Sequence, residues 1–335
     1  MVKHLKYRSS ELLGTSGCLG IFLLFLMSMP LLTVAQPSGY AGSFSRLGFG
    51  PRGMAMGNAI IASTTEGIYG YYNPALAAYA KTGSEIDIST SLMSFDRSLN
   101  SLNGTFKLPP SAGLHVALLN ANITGIDGRT SSGYFTDELA THEYQLLTSF
   151  GVNLHDKVAA GIGIKLNLAD YHSDISNANG VGFDLGIIYK TTEKLSLGIT
   201  AQDLLASYTW NSGELYGDES LAESTQNFPT RYNIGGSYYM RPRLLVAISY
   251  GWLIIDDEKF QQLKVGAAWS IHERISLRGG WQMDDLKNIA VANRPSAGFS
   301  VHLPFDMLKP SIDYAFLLEP NQISSMHVFG LKLNL

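Results

Sequence analysis

The chain is short of cysteine and of charge, and it has no apolar run long enough to cross a bilayer comfortably as a helix. Cys18 is the only cysteine, so a disulfide framework and a thiolate metal site are both excluded. Charged residues make up 16% of the chain, against about 25% in a typical soluble protein. A net charge of -4 offers no basic surface to nucleic acid. The mean hydropathy of +0.06 is too low for a bundle of membrane helices. Motifs for chemistry are missing as well. There is no Gly-x-Ser-x-Gly nucleophile elbow and no phosphate-binding loop. The histidines at 115, 142, 155, 172, 272, 302 and 327 show no metal-ligand spacing. His155 and His272 fall in tight turns, where a solvated ring is the default. The expectation is a protein that is not an enzyme and carries no cofactor or metal.

What is present begins with a processing segment. Lys3, Lys6 and Arg8 give a basic start, and an apolar run from Leu19 reaches Leu32 with Pro30 inside it. Thr33-Val34-Ala35 then supplies small residues ahead of Gln36. This order is that of a secretory signal peptide, and the run is too short and too interrupted for a spanning helix. Residues 1–35 are therefore set apart from the fold.

From about Ser84 onward the dominant pattern is alternation. Ile162, Ile164, Leu166 and Leu168 alternate with Gly161, Gly163, Lys165 and Asn167. Leu244, Val246, Ile248, Tyr250 and Trp252 alternate with Ala247, Ser249 and Gly251. The same phase recurs over Val181–Tyr189, Ile312–Leu318 and Phe329–Leu335. A period of two means strands with one apolar face. About fourteen such segments of roughly ten residues fit tilted membrane strands, in the even number a bacterial barrel uses. A soluble sandwich would alternate too. The export signal argues against it, as does a polar face rich in Gly, Ser and Asn. So do Tyr144, Tyr189, Tyr250, Trp252, Trp269 and Trp281 near strand ends, where an interfacial girdle places aromatics.

Loop lengths test this independently, because transmembrane barrels have short turns on one side and longer loops on the other. The even connections are tight at Pro109-Pro110, His155–Lys157, Thr191–Glu193, Arg241–Arg243 and His272–Arg274, and somewhat longer at Pro304–Lys309. Among the odd ones, Asn122–His142 and Leu204–Pro229 each exceed 20 residues, Tyr171–Gly180 and Asp284–Arg294 are intermediate, and those near Asp96, Asp256 and Asn321 are short. The expected architecture is an all-β transmembrane antiparallel barrel over 84–335 in the outer membrane, surrounded by lipid, with both termini periplasmic.

Residues 36–83 read differently. Gly48-Phe49-Gly50-Pro51-Arg52 leads into Gly53-Met54-Ala55-Met56-Gly57, and Asn73-Pro74-Ala75 follows Thr64-Thr65-Glu66. Glycines at 48, 50, 53 and 57 permit close backbone approach and positive φ, and Met54–Ile61 offers a short apolar helix. Pro74 suits the start of a turn or helix after an extended Asn73. The lumen of such a barrel is too wide for wall side chains to fill, so these residues are expected to form a plug, or hatch. Over some forty residues this stretch resembles the start of the PorV/PorQ-type outer-membrane proteins, within the superfamily of the FadL-like long-chain fatty-acid transporters. Thr64-Thr65-Glu66 departs from the paired aspartates of many relatives.

The resemblance implies an accessory of type IX secretion, with secretion components or exported cargo as partners. The alternative it leaves open is a channel for long-chain fatty acids or other small hydrophobic molecules. Such a channel needs an apolar pocket by the plug, for which Phe44, Phe49, Tyr69 and Tyr72 are candidates. Candidates for plug and lumen contacts are Arg52, Met54, Met56, Asn73 and Pro74. Lys165, Asp184, Lys264, Arg278 and Asp313 on the polar phase complete that set; they either line a pore or anchor the plug.

Overall fold

A computed structural model describes residues 40–67, 70–81, 83–172, 176–211, 223–256, 258–287, 293–305, 308–319 and 324–335. The signal segment 1–35, Tyr69 and the turn at Asn321 lie outside them. The strands are β1 (Ser84–Met93), β2 (Arg97–Leu108), β3 (Ala112–Arg129), β4 (Phe135–His155), β5 (Val158–Asp170), β6 (Ala178–Lys190), β7 (Leu195–Leu204), β8 (Ser207–Asn211) and β9 (Glu223–Asn227). They continue with β10 (Thr230–Arg241), β11 (Leu244–Ile255), β12 (Glu258–His272), β13 (Ile275–Met283), β14 (Asn293–His302), β15 (Ser311–Leu318) and β16 (Ser325–Asn334). Every pairing is antiparallel, and β1 pairs with β16 from Glu85↔Asn334 to Leu92↔His327. Fourteen strands thus close on themselves; β8 and β9 form a separate hairpin that touches β6 at Asn179↔Thr209. Closure removes every free edge from the wall, which a barrel in lipid requires.

The alternation of the sequence is the alternation of two faces. Ile162, Ile164, Leu166 and Leu168 point outward and are exposed, while Lys165 and Asn167 between them are buried in the lumen. Of the expected aromatic girdle, Tyr144, Tyr189, Trp252 and Trp269 are exposed on the outer wall, and Tyr250 and Trp281 are half-exposed. The buried core is therefore the lumen. Its main cluster joins Phe44, Met54, Met56, Ile60 and Leu76 of the N-terminal segment to wall residues such as Leu119, Leu147, Ile188, Leu245, Leu317 and Met326.

Two expectations change. Asn122–His142 is mostly strand instead of loop: β3 and β4 pair beyond the ends of their neighbours, with bulges between Ile123 and Ile126 and between Asp127 and Arg129. β2 stops opposite Ile123 and β5 opposite His142, so residues 124–141 stand above the rim as a hairpin. Ile126, Phe135 and Leu139 are too sparse among its polar residues to set an alternation. The helix expected over Met54–Ile61 lies earlier, at Pro51–Ala55. It stops because Gly57 and Asn58 take left-handed backbone, φ 60° and 58°. Among the described residues no helix is long and apolar enough to cross a membrane.

Candidate functional site

The N-terminal segment runs through the barrel from one rim toward the other. Tyr40 lies by Thr225–Pro229, Ile255 and Asp256 at one rim. The last residues before β1 meet Leu335 at the opposite rim, where Ser84 N donates to Leu335 O at 3.2 Å. The described segment thus enters at one rim and leaves at the other.

Glycines build the seat of the segment. Gly113, Gly151, Gly161 and Gly186 face one another in a single cross-strand row over β3, β4, β5 and β6. The 3-10 helix Pro74–Tyr79 rests on this row. A methyl group at Gly161 would stand 2.4 Å from Ala75 N, and one at Gly186 2.0 Å from Asn73 Oδ1. Asn73 is extended, φ -160° and ψ 116°, and its side chain accepts from Ala75 N at 3.0 Å, capping the helix that Pro74 starts. Asn73 Nδ2 also donates to Ile61 O at 2.9 Å, tying the two halves of the segment together. Across the lumen, Gly266 pairs with Gly280 and Gly280 with Ser296. Met56 and Gly57 lie on that row, and Ser296 Oγ donates to Ala55 O at 3.0 Å while accepting from Gly57 N at 3.2 Å.

Ion pairs hold the segment to the wall. Arg52 Nε meets Asp313 Oδ2 at 3.0 Å and its Nη2 donates to Ser311 Oγ at 2.6 Å. Arg278 Nε meets Glu66 Oε2 at 2.6 Å and its Nη1 donates to Ser300 Oγ at 2.5 Å. Lys165 and Asp184 do not reach the segment as a direct pair. Lys165 Nζ lies 2.8 Å from Asp184 Oδ2 and 2.6 Å from Asp203 Oδ1, all three buried. Asp203 binds Arg231 through Nε at 2.8 Å, and Arg231 Nη1 donates to Ser45 O of the segment at 3.4 Å. Gln202 bridges from Asp184 at 3.4 Å to Tyr71 O at 2.7 Å. Two acids and two bases thus form a neutral network that reaches the segment through backbone oxygens. Lys264 lies on the lumenal phase between Ser249 and Gln282 and forms no ion pair among the described residues.

The aromatic candidates gather. Phe44 meets Phe49 at 6.4 Å between ring centroids, Phe49 meets Tyr71 at 5.4 Å, and Tyr71 meets Tyr72 at 4.9 Å, each edge to face. All four rings are buried. Tyr72 Oη contacts Phe49 O at 3.0 Å and Asn58 Oδ1 at 2.7 Å, and burial pushes its phenol up, so it stays a donor. Met54 and Met56 are wholly buried beside this run.

Sequence reasoning missed Asp203, Arg231 and Tyr71. Asp203 has left-handed backbone, φ 58°, at the end of β7, where alternation fails and phase no longer predicts facing. Arg231 does sit on the polar phase of β10, opposite Gln202, and that phase was its available signal.

No family model and no curated protein matches the chain. Solved structures do. The toluene transporter TbuX of Ralstonia pickettii is 13% identical, with a TM-score of 0.61 over 87% of this chain and 99% of that one. The CymD monoaromatic hydrocarbon channel is 14% identical, with a TM-score of 0.61 over 86% and 96%. A Pseudomonas aeruginosa FadL homologue is 12% identical, with a TM-score of 0.53 over 91% and 99%. At these identities the likeness is one of fold: this chain folds as a closed fourteen-stranded barrel of the kind found in FadL-like outer-membrane proteins.

Proposed function

We propose that the protein is an outer-membrane channel for small hydrophobic molecules, with the lumenal segment as its gate. The observation that carries this reading is the run Phe44–Phe49–Tyr71–Tyr72, a chain of rings in mutual contact inside the barrel. Rings and methionines packed beside buried polar and charged groups of the wall give an apolar solute something to follow. The segment is anchored by side-chain contacts rather than strand pairing, and such contacts exchange without opening the wall. The three solved likenesses named above are a toluene transporter, a hydrocarbon channel and a FadL homologue, which favours transport of apolar solutes over a role in secretion. The type IX accessory role rests on the N-terminal sequence resemblance alone. In this reading the solute enters on the side of the protruding hairpin, and Ser84 and Leu335 face the periplasm.

The test is uptake. Proteoliposomes holding the purified protein are loaded with a solvatochromic dye, and toluene and oleate are added separately outside. Faster entry of either solute than in protein-free vesicles supports a channel, and the ratio of the two identifies the substrate class. Equal entry of both with and without protein would sink the reading.

A further inference from the structure

The outer wall carries two neighbouring cross-strand rows, an aliphatic one and, above it, one that is polar over β3, β2 and β1 and aromatic from β16 onward. The lower row runs Leu118, Leu102, Ile88, Leu331, Ile312 across β3, β2, β1, β16 and β15. All five side chains are exposed. The row above it runs Asn120, Asn100, Thr90 and then Phe329, and the next one starts Asn122, Ser98. The wall here is hollowed into a groove of about 540 Å³, lined by the lower row and by Phe329 and crowned at one end by Thr90, Asn100 and Asn120. Its size falls within the range of small-molecule sites, about 300–1,000 Å³.

The amide donors of the crown are held only by long bonds. Thr90 Oγ1 donates to Asn100 Oδ1, and Ser98 Oγ to Asn122 Oδ1, both at 2.7 Å. These hydroxyls occupy the amide oxygens. Asn100 Nδ2 reaches Asn120 Oδ1 and Ser98 Oγ at 3.3 Å, and Asn120 Nδ2 reaches Glu143 O at 3.3 Å and Ala121 O at 3.5 Å. Ordinary N–H···O bonds cluster near ~2.9–3.0 Å. The groove therefore presents outward donors at the end of an apolar trough, and it suits a partner with acceptor oxygens at the head of a hydrocarbon chain. Among the described residues no lysine or arginine lines it, so none of them selects an anion. A neutral acceptor such as an ester carbonyl fits best.

We propose that this groove binds one ester-linked lipid of the surrounding bilayer. Its acyl chain lies on the lower row, and its ester carbonyl accepts from the Asn100 and Asn120 amides. The inference rests on the barrel wall facing lipid and is independent of what passes through the lumen.

The full-length protein, in nanodiscs of phosphatidylcholine doped with a phosphatidylcholine bearing a mid-chain diazirine, is irradiated and its adducts mapped by peptide mass spectrometry. Labelling of the groove strands should exceed that of the outward residues Ile234 and Ile248 several-fold. Leu118→Trp, which fills the trough, and the double substitution Asn100→Leu with Asn120→Leu should each bring it down to that background. Even labelling around the wall, or labelling that neither variant lowers, would overturn the proposal. So would adducts confined to a cross-linked dimer of the protein. Where a variant fails to fold, the wild-type protein is labelled with the ether-linked analogue, which lacks the carbonyl. Weaker labelling of the groove supports the site, and undiminished labelling refutes it.

Discussion

At the scale of single residues, the lumen is held by charges that lie far apart in sequence and cancel locally. Lys165 is the centre of one such group, with Asp184 at 2.8 Å and Asp203 at 2.6 Å. Replacing it by methionine keeps the volume; among the described residues it leaves Asp203 paired with Arg231 and Asp184 with no cation within ion-pair distance. Removing one partner of a buried pair typically costs about 3–5 kcal/mol. Lys165→Met should therefore unfold at lower urea concentration than the parent, read from the loss of the compact band in heat-modifiable electrophoresis. An unchanged midpoint would mean that water relaxes the site. Lys165 was legible as lumenal from its phase in β5. Its second partner Asp203 was not, because the left-handed backbone at the end of β7 breaks the phase on which that reading depends.

Among elements, the glycine row under the Pro74–Tyr79 helix is the informative case. Gly161 and Gly186 look in the sequence like neutral fillers of the polar phase. In the barrel they pair with each other, and the row continues through Gly151 and Gly113. Only register across four strands makes them one surface. Gly161→Val would drive two methyl groups into the Ala75 backbone, since a Cβ alone already lies 2.4 Å from Ala75 N. Overpacking of this kind costs about 1–3 kcal/mol, and the easier relief is displacement of the helix rather than of the wall. The expected outcome is a barrel that still folds and conducts more current in planar bilayers. Conductance equal to the parent's would show that the wall yields instead. The β3–β4 hairpin is the reverse case, an element invisible in the sequence. Its two strands pair only with each other above the rim, so neither needs an apolar face and no period appears.

For the whole molecule, closure is the condition on which the rest depends. β16 pairs with both β1 and β15, so deleting residues 324–335 leaves two bare strand edges facing lipid. Each unpaired backbone group there costs several kcal/mol, and the truncated chain should fail to insert. Fractionation with detergent-extracted membranes checks this: a truncated chain that still inserts and shows the compact band would mean that the remaining strands close without β16. The sequence by itself determined the strand number, the outward and lumenal faces, the tight turns and the presence of a plug-like segment with its Asn-Pro-Ala turn. All of these depend on the local period, on turn chemistry or on neighbours in the chain. Only the tertiary structure decided that the segment threads from one rim to the other, which charges it meets, and which glycines it rests on. It also decided that Asn100 and Asn120 stand together above an apolar trough. Those facts depend on register between strands that lie far apart in sequence, and register is a property of the closed barrel.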